Sequence, residues 1–357
     1  MSADTGKPIG GYEAVPLRKD DITVAVVQSK LNIDDPSKGD KQIKENLDRL
    51  IWMIDEAQDF DLRRDIKYDL LIFHEFVMQG FNISGNREEE LRHAIDIPGP
   101  ETEAIGKKAK EYNCYICFGC YGKLADWPGH FMDMGIIVGP DGNIVYQIWK
   151  HRQLSGLAFS TTIYDVLDRY VEMYGWDAVF PVARTDVGNL SLAPCVYEPE
   201  AIRAYSLKGA EIITRLMTIG GGHWTRLGLP AYRGGGFNSL QMDLQAGCMV
   251  NGVYGVFLNH AVTPDKALGD RGAGATAIFD YDGRIMSEAS SPMETMVIAS
   301  IPLADYRRKH MLPNFPKELY TDMYQNYQPR YPTGALLDYL PKDRPDAVEY
   351  YKKLARW

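Results

Sequence analysis

Three residues of the 357-residue chain, Glu75, Lys150 and Cys195, have the types and surroundings to do chemistry. Glu75 closes the apolar run Leu70-Leu71-Ile72-Phe73-His74-Glu75, and a carboxylate at the end of a buried strand is costly unless it has a partner or a task. Taken alone, a solvated or ion-paired glutamate at a strand mouth explains it equally well. Lys150, in Trp149-Lys150-His151-Arg152, follows a hairpin, where surface lysines are ordinary. Cys195 ends the strand-like Leu190–Pro194 and sits in a turn before a helix that opens at Pro199-Glu200. That placement presents a nucleophile at a helix N-terminus, where the dipole favours a thiolate. Each signal is weak by itself; their order and context together are specific.

The elements that must position these residues follow from hydrophobic periodicity. Asp21–Gln28 is an apolar strand, and Lys41–Gln58 carries Ile43, Leu47, Leu50, Ile51 and Ile54 at helical spacing. Tyr68–Phe76 is a second buried strand, and a helix from Glu101 to Tyr112 leads into a third at Asn113–Tyr121. Gly135–Val138 and Ile144–Ile148 flank Pro140-Asp141-Gly142-Asn143, a hairpin signal because Asp-Gly supplies the positive φ of a tight turn. The second half repeats the rhythm. Strands at Leu190–Pro194, Glu211–Leu216 and Tyr254–Asn259 alternate with helices at Pro199–Lys208 and Gly236–Asn251. A second hairpin follows around Asp282-Gly283, with Thr276–Tyr281 and Arg284–Met286 as its arms. Alternation of strands and helices predicts an α/β fold, and a hairpin in each half predicts two similar layers. From Leu312 the composition shifts to Pro, Tyr and charge, ending in an amphipathic stretch at Ala347–Trp357. The predicted division is a body over 20–310 and an extension over 311–357 that packs on a neighbouring subunit.

Composition narrows the function classes. The chain has 45% apolar residues and 24% charge, enough to bury a large core. With 39 Lys plus Arg against 48 Asp plus Glu, its net charge is −9. Nucleic acid and anionic membrane are therefore not expected partners, since phosphate contacts need clustered cations. No apolar run approaches the roughly 18 residues of a membrane span, and Met1–Pro8 is polar, so a cytoplasmic location is expected. Five cysteines are too few for a disulfide scaffold. Cys114, Cys117 and Cys120 have the spacing of an iron–sulfur or zinc motif. On a strand, however, Cys117 points opposite to the other two, so the three cannot converge on one metal. They read as core residues, as does Cys248 in its helix, and no metal or organic cofactor is expected.

The chain resembles the nitrilase superfamily of carbon–nitrogen hydrolases over about residues 20–305. The carriers are Val24–Gln28 (VAVVQ), Leu71–Phe76 (LIFHEF), Val138–Lys150 (VGPDGNIVYQIWK), Gly188–Cys195 (GNLSLAPC), Pro199-Glu200, Lys208–Ile213 (KGAEII) and the hairpin at Ala277–Gly283. The resemblance implies a four-layer α-β-β-α sandwich with Glu75 as general base, Lys150 as electrostatic stabiliser and Cys195 as nucleophile. Val196 would supply the oxyanion backbone N–H. These types suit the chemistry, because a thiol attacks an amide or nitrile carbon only once a base has taken its proton. The tetrahedral oxyanion then needs fixed positive charge and N–H donors. Glu75 would need a raised pKa to serve near neutrality. The resemblance also implies a homodimer or larger assembly through the helices beside the cysteine.

The 45 positions from Lys150 to Cys195 form a long stretch, similar to that of N-carbamoyl amino acid hydrolases. Within it, Leu167-Asp168-Arg169-Tyr170 resembles the segment that carries their supporting acid, which makes Asp168 the candidate, with Glu172 behind it. A solvated helix face explains both residues as well. Two departures stand out. Only four positions separate Cys195 from Pro199, where the family usually has about six, and Ile148-Trp149 replaces the Tyr-Arg before the lysine. The shortened elbow lacks both the arginines of carbamoyl-acid hydrolases and the Trp-Glu of true nitrilases. The glycines of Gly220-Gly221-Gly222-His223-Trp224 lack the Gly-Lys-Ser/Thr of a phosphate cradle, so nucleotide binding is not expected. In the family the loop after the GAEII strand borders the substrate, so His223 and Trp224 are candidate contacts. Three functions compete: hydrolysis of a small linear amide to an acid plus ammonia or amine; hydrolysis of an N-carbamoyl compound with release of carbon dioxide; and a binding or assembly subunit without catalysis. The first is the leading expectation.

Overall fold

The computed structural model describes residues 10–31, 39–59, 66–81, 85–153, 159–194, 198–218, 223–224, 230–231, 236–261 and 274–357. The first half runs β1 (Ile22–Gln28), α1 (Asp40–Asp59), β2 (Leu70–Phe73), α2 (Arg87–His93), β3 (Ile95–Asp96), α3 (Pro100–Tyr112), β4 (Tyr115–Lys123), β5 (Met132–Val138) and β6 (Ile144–Trp149). Next come α4 (Leu167–Tyr174), β7 (Ala183–Thr185), β8 (Gly188–Leu192), α5 (Pro199–Leu207), β9 (Ile212–Leu216) and the two-residue strands β10 (His223–Trp224) and β11 (Pro230–Ala231). The chain ends with α6 (Gly236–Asn251), β12 (Tyr254–Leu258), β13 (Ala277–Phe279), β14 (Ile285–Glu288), β15 (Thr295–Ile301), α7 (Leu303–Arg307), α8 (Glu318–Asn326) and α9 (Arg344–Leu354).

The strands form two main sheets, ordered β15-β1-β2-β4-β5-β6, with β3 beside β4, and β14-β13-β12-β9-β8-β7. Each has a parallel centre, β1-β2-β4 in one and β8-β9-β12 in the other. Each continues into an antiparallel hairpin pair, β4-β5-β6 and β12-β13-β14, the repetition that the two Asp-Gly turns announced. The parallel strands β2, β9 and β12 are buried along their whole length because both faces are covered. On one side Ile43, Leu50, Ile54 and Ala57 of α1 and Ile105 and Ala109 of α3 join the core of the first sheet. On the other, Ala201, Ile202 and Tyr205 of α5 and Leu244 and Cys248 of α6 pack on the second. The inner faces meet where the Tyr146 hydroxyl of β6 donates to the Leu192 carbonyl of β8 and accepts from its N–H. The result is the four-layer α-β-β-α sandwich.

Two features differ from the sequence reading. β2 stops at Phe73 instead of continuing through His74 and Glu75: the chain turns from Glu75 onward, although the His74 carbonyl still accepts the Gly119 N–H of β4 at 3.2 Å. The C-terminal extension also divides. Its last part docks on its own body, with Ala347 and Tyr351 of α9 buried and the Tyr351 hydroxyl donating to Asp165 at 2.6 Å. By contrast, α8 buries none of its residues.

β15 returns to pair antiparallel with β1 from Ile22↔Ile301 to Gln28↔Thr295, so the end of the body closes against its beginning. α7, which follows, is fastened by a two-pronged ion pair between Arg307 and Glu211, both bonds 2.8 Å, with side chains 3% and 0% exposed. The Tyr12 hydroxyl donates to the same glutamate. Removing one member leaves a buried charge without its counter-ion. Arg307→Met is expected to lower the unfolding free energy by about 3–5 kcal/mol in urea titrations, and adding Glu211→Gln is expected to recover part of that loss.

Candidate active site

Glu75 and Lys150 lie just past the carboxyl ends of strands, where an α/β sheet opens a crevice. Glu75 follows β2, is 1% exposed, and lies in the turn that β2 enters once its ladder ends. What sets its height is Gly119 on β4. A Cβ at Gly119 would sit 2.3 Å from the Glu75 carbonyl oxygen and 2.5 Å from its Cα, so only glycine lets the turn lie on the strand. Lys150 is the first residue past β6. Its N–H donates to the Asp133 carbonyl at 2.8 Å, one more rung of the β5–β6 ladder. Its side chain is 10% exposed, and Nζ stands 3.5 Å from Oδ2 of Asp133 on β5. Glu75 also acts on the Asp133 carboxyl, and all three side chains are buried, so the two acids and the lysine form one cluster. Burial raises the Asp133 carboxyl, and Lys150 and then Glu75 pull it back down.

Cys195 and Val196 lie outside the described residues, and the chain on either side of them is tied to the body. Before them, the Ala193 N–H donates to the Thr214 carbonyl at 2.7 Å, holding the end of β8 against β9. After them, Glu198 is ion-paired with Arg152, two residues past Lys150. Between these ties His151 stacks on Phe180 with ring centroids 4.5 Å apart, and its Nε2 meets the Val179 carbonyl at 2.8 Å. Burial pushes His151 down to about 4, so it is a neutral packing residue rather than an acid or base beside Lys150. His74 and His260 lie edge to face at 6.3 Å, and burial, followed by the neighbouring His260, holds His74 down to about 3.

The other candidates fall elsewhere or beyond description. Asp168 sits in the first turn of α4 and is exposed, so the acid beside Lys150 is Asp133 instead. The physical reason is orientation: α4 buries only Tyr170 and turns Asp168 to solvent. His223 and Trp224 form β10, paired with β11, and their side chains lie outside the described residues. Cys114, Cys117 and Cys120 are buried around β4, and Cys248 is buried in α6, where burial pushes its thiol up to about 12. Among the described residues no group of three or more His, Cys, Asp or Glu is arranged to hold a metal, and no helix is long and apolar enough to cross a membrane. Asp133 was readable in principle, as the one charge in the apolar run Phe131-Met132-Asp133-Met134-Gly135-Ile136-Ile137-Val138. The argument that singled out Glu75 applies to it equally.

Residues 23–310 match the model of the carbon-nitrogen hydrolase family. The chain belongs to this family. It is 27% identical over 217 residues to a formamidase of Bacillus cereus (strain Q1), a stretch covering 59% of this chain and 54% of the formamidase. The chain thus spans about half the length of the curated relatives it matches. The crystal structure of a carbon-nitrogen hydrolase from Helicobacter pylori G27 superposes with a TM-score of 0.64 at 18% identity, covering 86% of this chain and 99% of that one. A double mutant of the amidase from Nesterenkonia sp. AN1 in complex with acrylamide superposes at 0.58 with 16% identity, covering 87% and 100%. At these identities the likeness is one of fold, and it places this carbon-nitrogen hydrolase in the same sandwich architecture.

The Gly119 contact is testable by itself. Gly119→Ala must displace the turn that carries Glu75, because both crowded atoms are backbone. A loss of about 1–3 kcal/mol in urea unfolding is expected, as for other overpacked sites, together with a Glu75 visibly moved in the variant's crystal structure.

Proposed function

We propose that this family member is a cysteine-dependent hydrolase of a non-peptide C–N bond, acting on a small linear amide through a thioester on Cys195. The observation that carries the reading is the buried Glu75–Asp133–Lys150 cluster, with Arg152, two residues past Lys150, ion-paired to Glu198 just before α5. The formamidase relative and the amidase crystallised with acrylamide support an amide as substrate class.

In this reading the Cys195 S–H bond breaks as Glu75 takes its proton, and the sulfur bonds to the amide carbon. Lys150 and the Val196 N–H stabilise the oxyanion. The C–N bond then breaks, and the nitrogen leaves as ammonia or an amine with the proton from Glu75. Water, deprotonated by the same carboxylate, opens the thioester and releases the acid. Asp133, which holds Lys150, takes the place that Asp168 had in the sequence reading. His223 and Trp224 remain candidates for the substrate side of the pocket. No step needs a metal or organic cofactor.

The subunits are proposed to pair through the α5/α6 face. Met242, Met249 and Val250 of α6 are 60%, 60% and 55% exposed, and Leu319 and Met323 of α8 are 76% and 54% exposed. The Tyr324 hydroxyl donates to Glu200 and so ties α8 to α5, which makes this apolar surface continuous. Light scattering at micromolar concentration is expected to return a dimer or larger. A monomeric mass would count against it.

The activity is tested by incubating the full chain with a panel of simple amides and carbamoyl compounds, following intact mass and ammonia. Wild type is expected to release ammonia and to gain substrate-dependent mass on Cys195, with turnover down by at least about 10³-fold in Cys195→Ala and Glu75→Gln. Carbon dioxide released alongside ammonia would favour the carbamoyl reading. Unimpaired hydrolysis by Cys195→Ala would refute the thiol mechanism.

A further inference from the structure

Lys150 follows the edge strand β6, which has a neighbouring strand on one side only. Its N–H is taken by the Asp133 carbonyl of β5, and a segment further along the chain takes hold of its carbonyl. The Ile163 N–H donates to the Lys150 carbonyl at 3.1 Å, and the Tyr164 N–H donates to the His151 carbonyl at 2.8 Å. The Lys150 backbone is thus gripped at both of its polar groups. What shapes the segment that does so is Asp165, a carboxylate only 3% exposed. Its Oδ2 accepts from the Thr162 hydroxyl at 2.5 Å and from the Thr162 N–H at 3.2 Å, which closes the turn around Ile163. Its Oδ1 accepts from the Tyr351 hydroxyl of α9 at 2.6 Å, across 186 positions of the chain. Tyr351 is itself 5% exposed, so water does not stand ready to replace its hydroxyl.

The rest of the C-terminal extension is laid along the same segment. The Leu336 N–H donates to the Asp165 carbonyl at 3.0 Å, and the Gly334 N–H donates to the Tyr164 carbonyl at 3.3 Å. In return the Tyr164 hydroxyl donates to the Tyr331 carbonyl at 2.8 Å. Arg87 joins the two pieces again, its Nε donating to the Pro341 carbonyl at 2.6 Å and its Nη2 to the Phe159 carbonyl at 2.8 Å. Stripping a buried carboxylate oxygen of its donor costs more than one hydrogen bond contributes, because the oxygen stays away from water. The shape of residues 162–165 is therefore coupled to the docking of α9.

We propose that Tyr351 is a positioning residue of the site, through which the C-terminal extension of the same chain holds the Lys150 backbone by way of Asp165 and Ile163. The proposal rests on the thiol-hydrolase reading, in which the Lys150 ammonium serves Cys195, and adds what sets the place of that ammonium. Asp133 faces Nζ, while Tyr351 governs the backbone from which the side chain starts. The extension is in this view a strap on its own active site, and α9 belongs to the catalytic body although α8 does not dock on it.

The rate at which iodoacetamide alkylates Cys195 in the full chain, quantified at that site by peptide mass spectrometry, tests the strap without the natural substrate. Lys150→Gln removes the charge that favours the thiolate and is expected to slow alkylation by at least about tenfold. Tyr351→Phe removes one hydroxyl and is expected to slow it by about three- to tenfold. The double variant is expected to be no slower than Lys150→Gln alone, because Tyr351 acts through Lys150. A stability role alone would leave the Tyr351→Phe rate at the wild-type value, or slow alkylation by the same factor with and without Lys150. Either result overturns the positioning role and spares the hydrolase reading. Equal rates in wild type and Lys150→Gln overturn both. A second readout needs no variant: in amide hydrogen exchange of the wild-type chain under rising urea, peptides covering 159–166 and α9 are expected to lose protection together, as one cooperative unit. Protection of 159–166 that persists after α9 has exchanged overturns the coupling.

Discussion

A lysine ammonium nine-tenths removed from water needs a counter-charge, and in this protein Asp133 supplies it from the neighbouring strand. That pairing sets the register of everything around it. The same two residues share a rung of the β5–β6 ladder, so the ion pair and the sheet reinforce each other. Glu75 is drawn to the same acid from across the sheet, which joins β2, β5 and β6 at one point. Lys150 is followed two residues on by Arg152, whose ion pair with Glu198 ties the strand end to the start of α5.

The sandwich makes such a cluster sustainable. Two sheets with parallel centres put several carboxyl ends side by side, and helices cover the outer faces so that the central strands are buried. β15 pairing with β1 and α7 held by Arg307 close the body around this arrangement. Charges are thus buried in two places for different reasons. Arg307 and Glu211 offset each other's charge, with Tyr12 donating to the same glutamate, and serve the fold. Glu75, Asp133 and Lys150 are buried together where strands end and serve the site.

Much of the fold was legible because its elements obey short-range rules. Ile43, Leu50 and Ile54 repeat at helical spacing in α1 and are buried as that spacing requires. Gly142 takes φ +89° in the first Asp-Gly turn, a conformation that glycine adopts without penalty. Pro100 opens α3 and Pro199 opens α5, as the missing N–H and fixed φ of proline favour. The end of β2 was less legible, because the turn from Glu75 lies against Gly119, 45 residues beyond His74, and such a close approach leaves no local pattern. The return of β15 to β1 was likewise outside local reach, as the partners are nearly the whole chain apart.

The sequence by itself determined the periodicity of the strands and helices, the two hairpins, and the presence of Glu75 and Lys150 where buried strands end. It did so because patterns of burial and turn geometry are written within a few consecutive residues. Only the tertiary structure decided which acid stands beside the lysine. Asp168 and Asp133 are equally conspicuous as letters, yet one lies on the open face of α4 and the other inside a sheet, 3.5 Å from Nζ. Charges interact through space, over a few ångströms and across low-dielectric surroundings, and the chain order of residues 75, 133 and 150 carries no record of that distance.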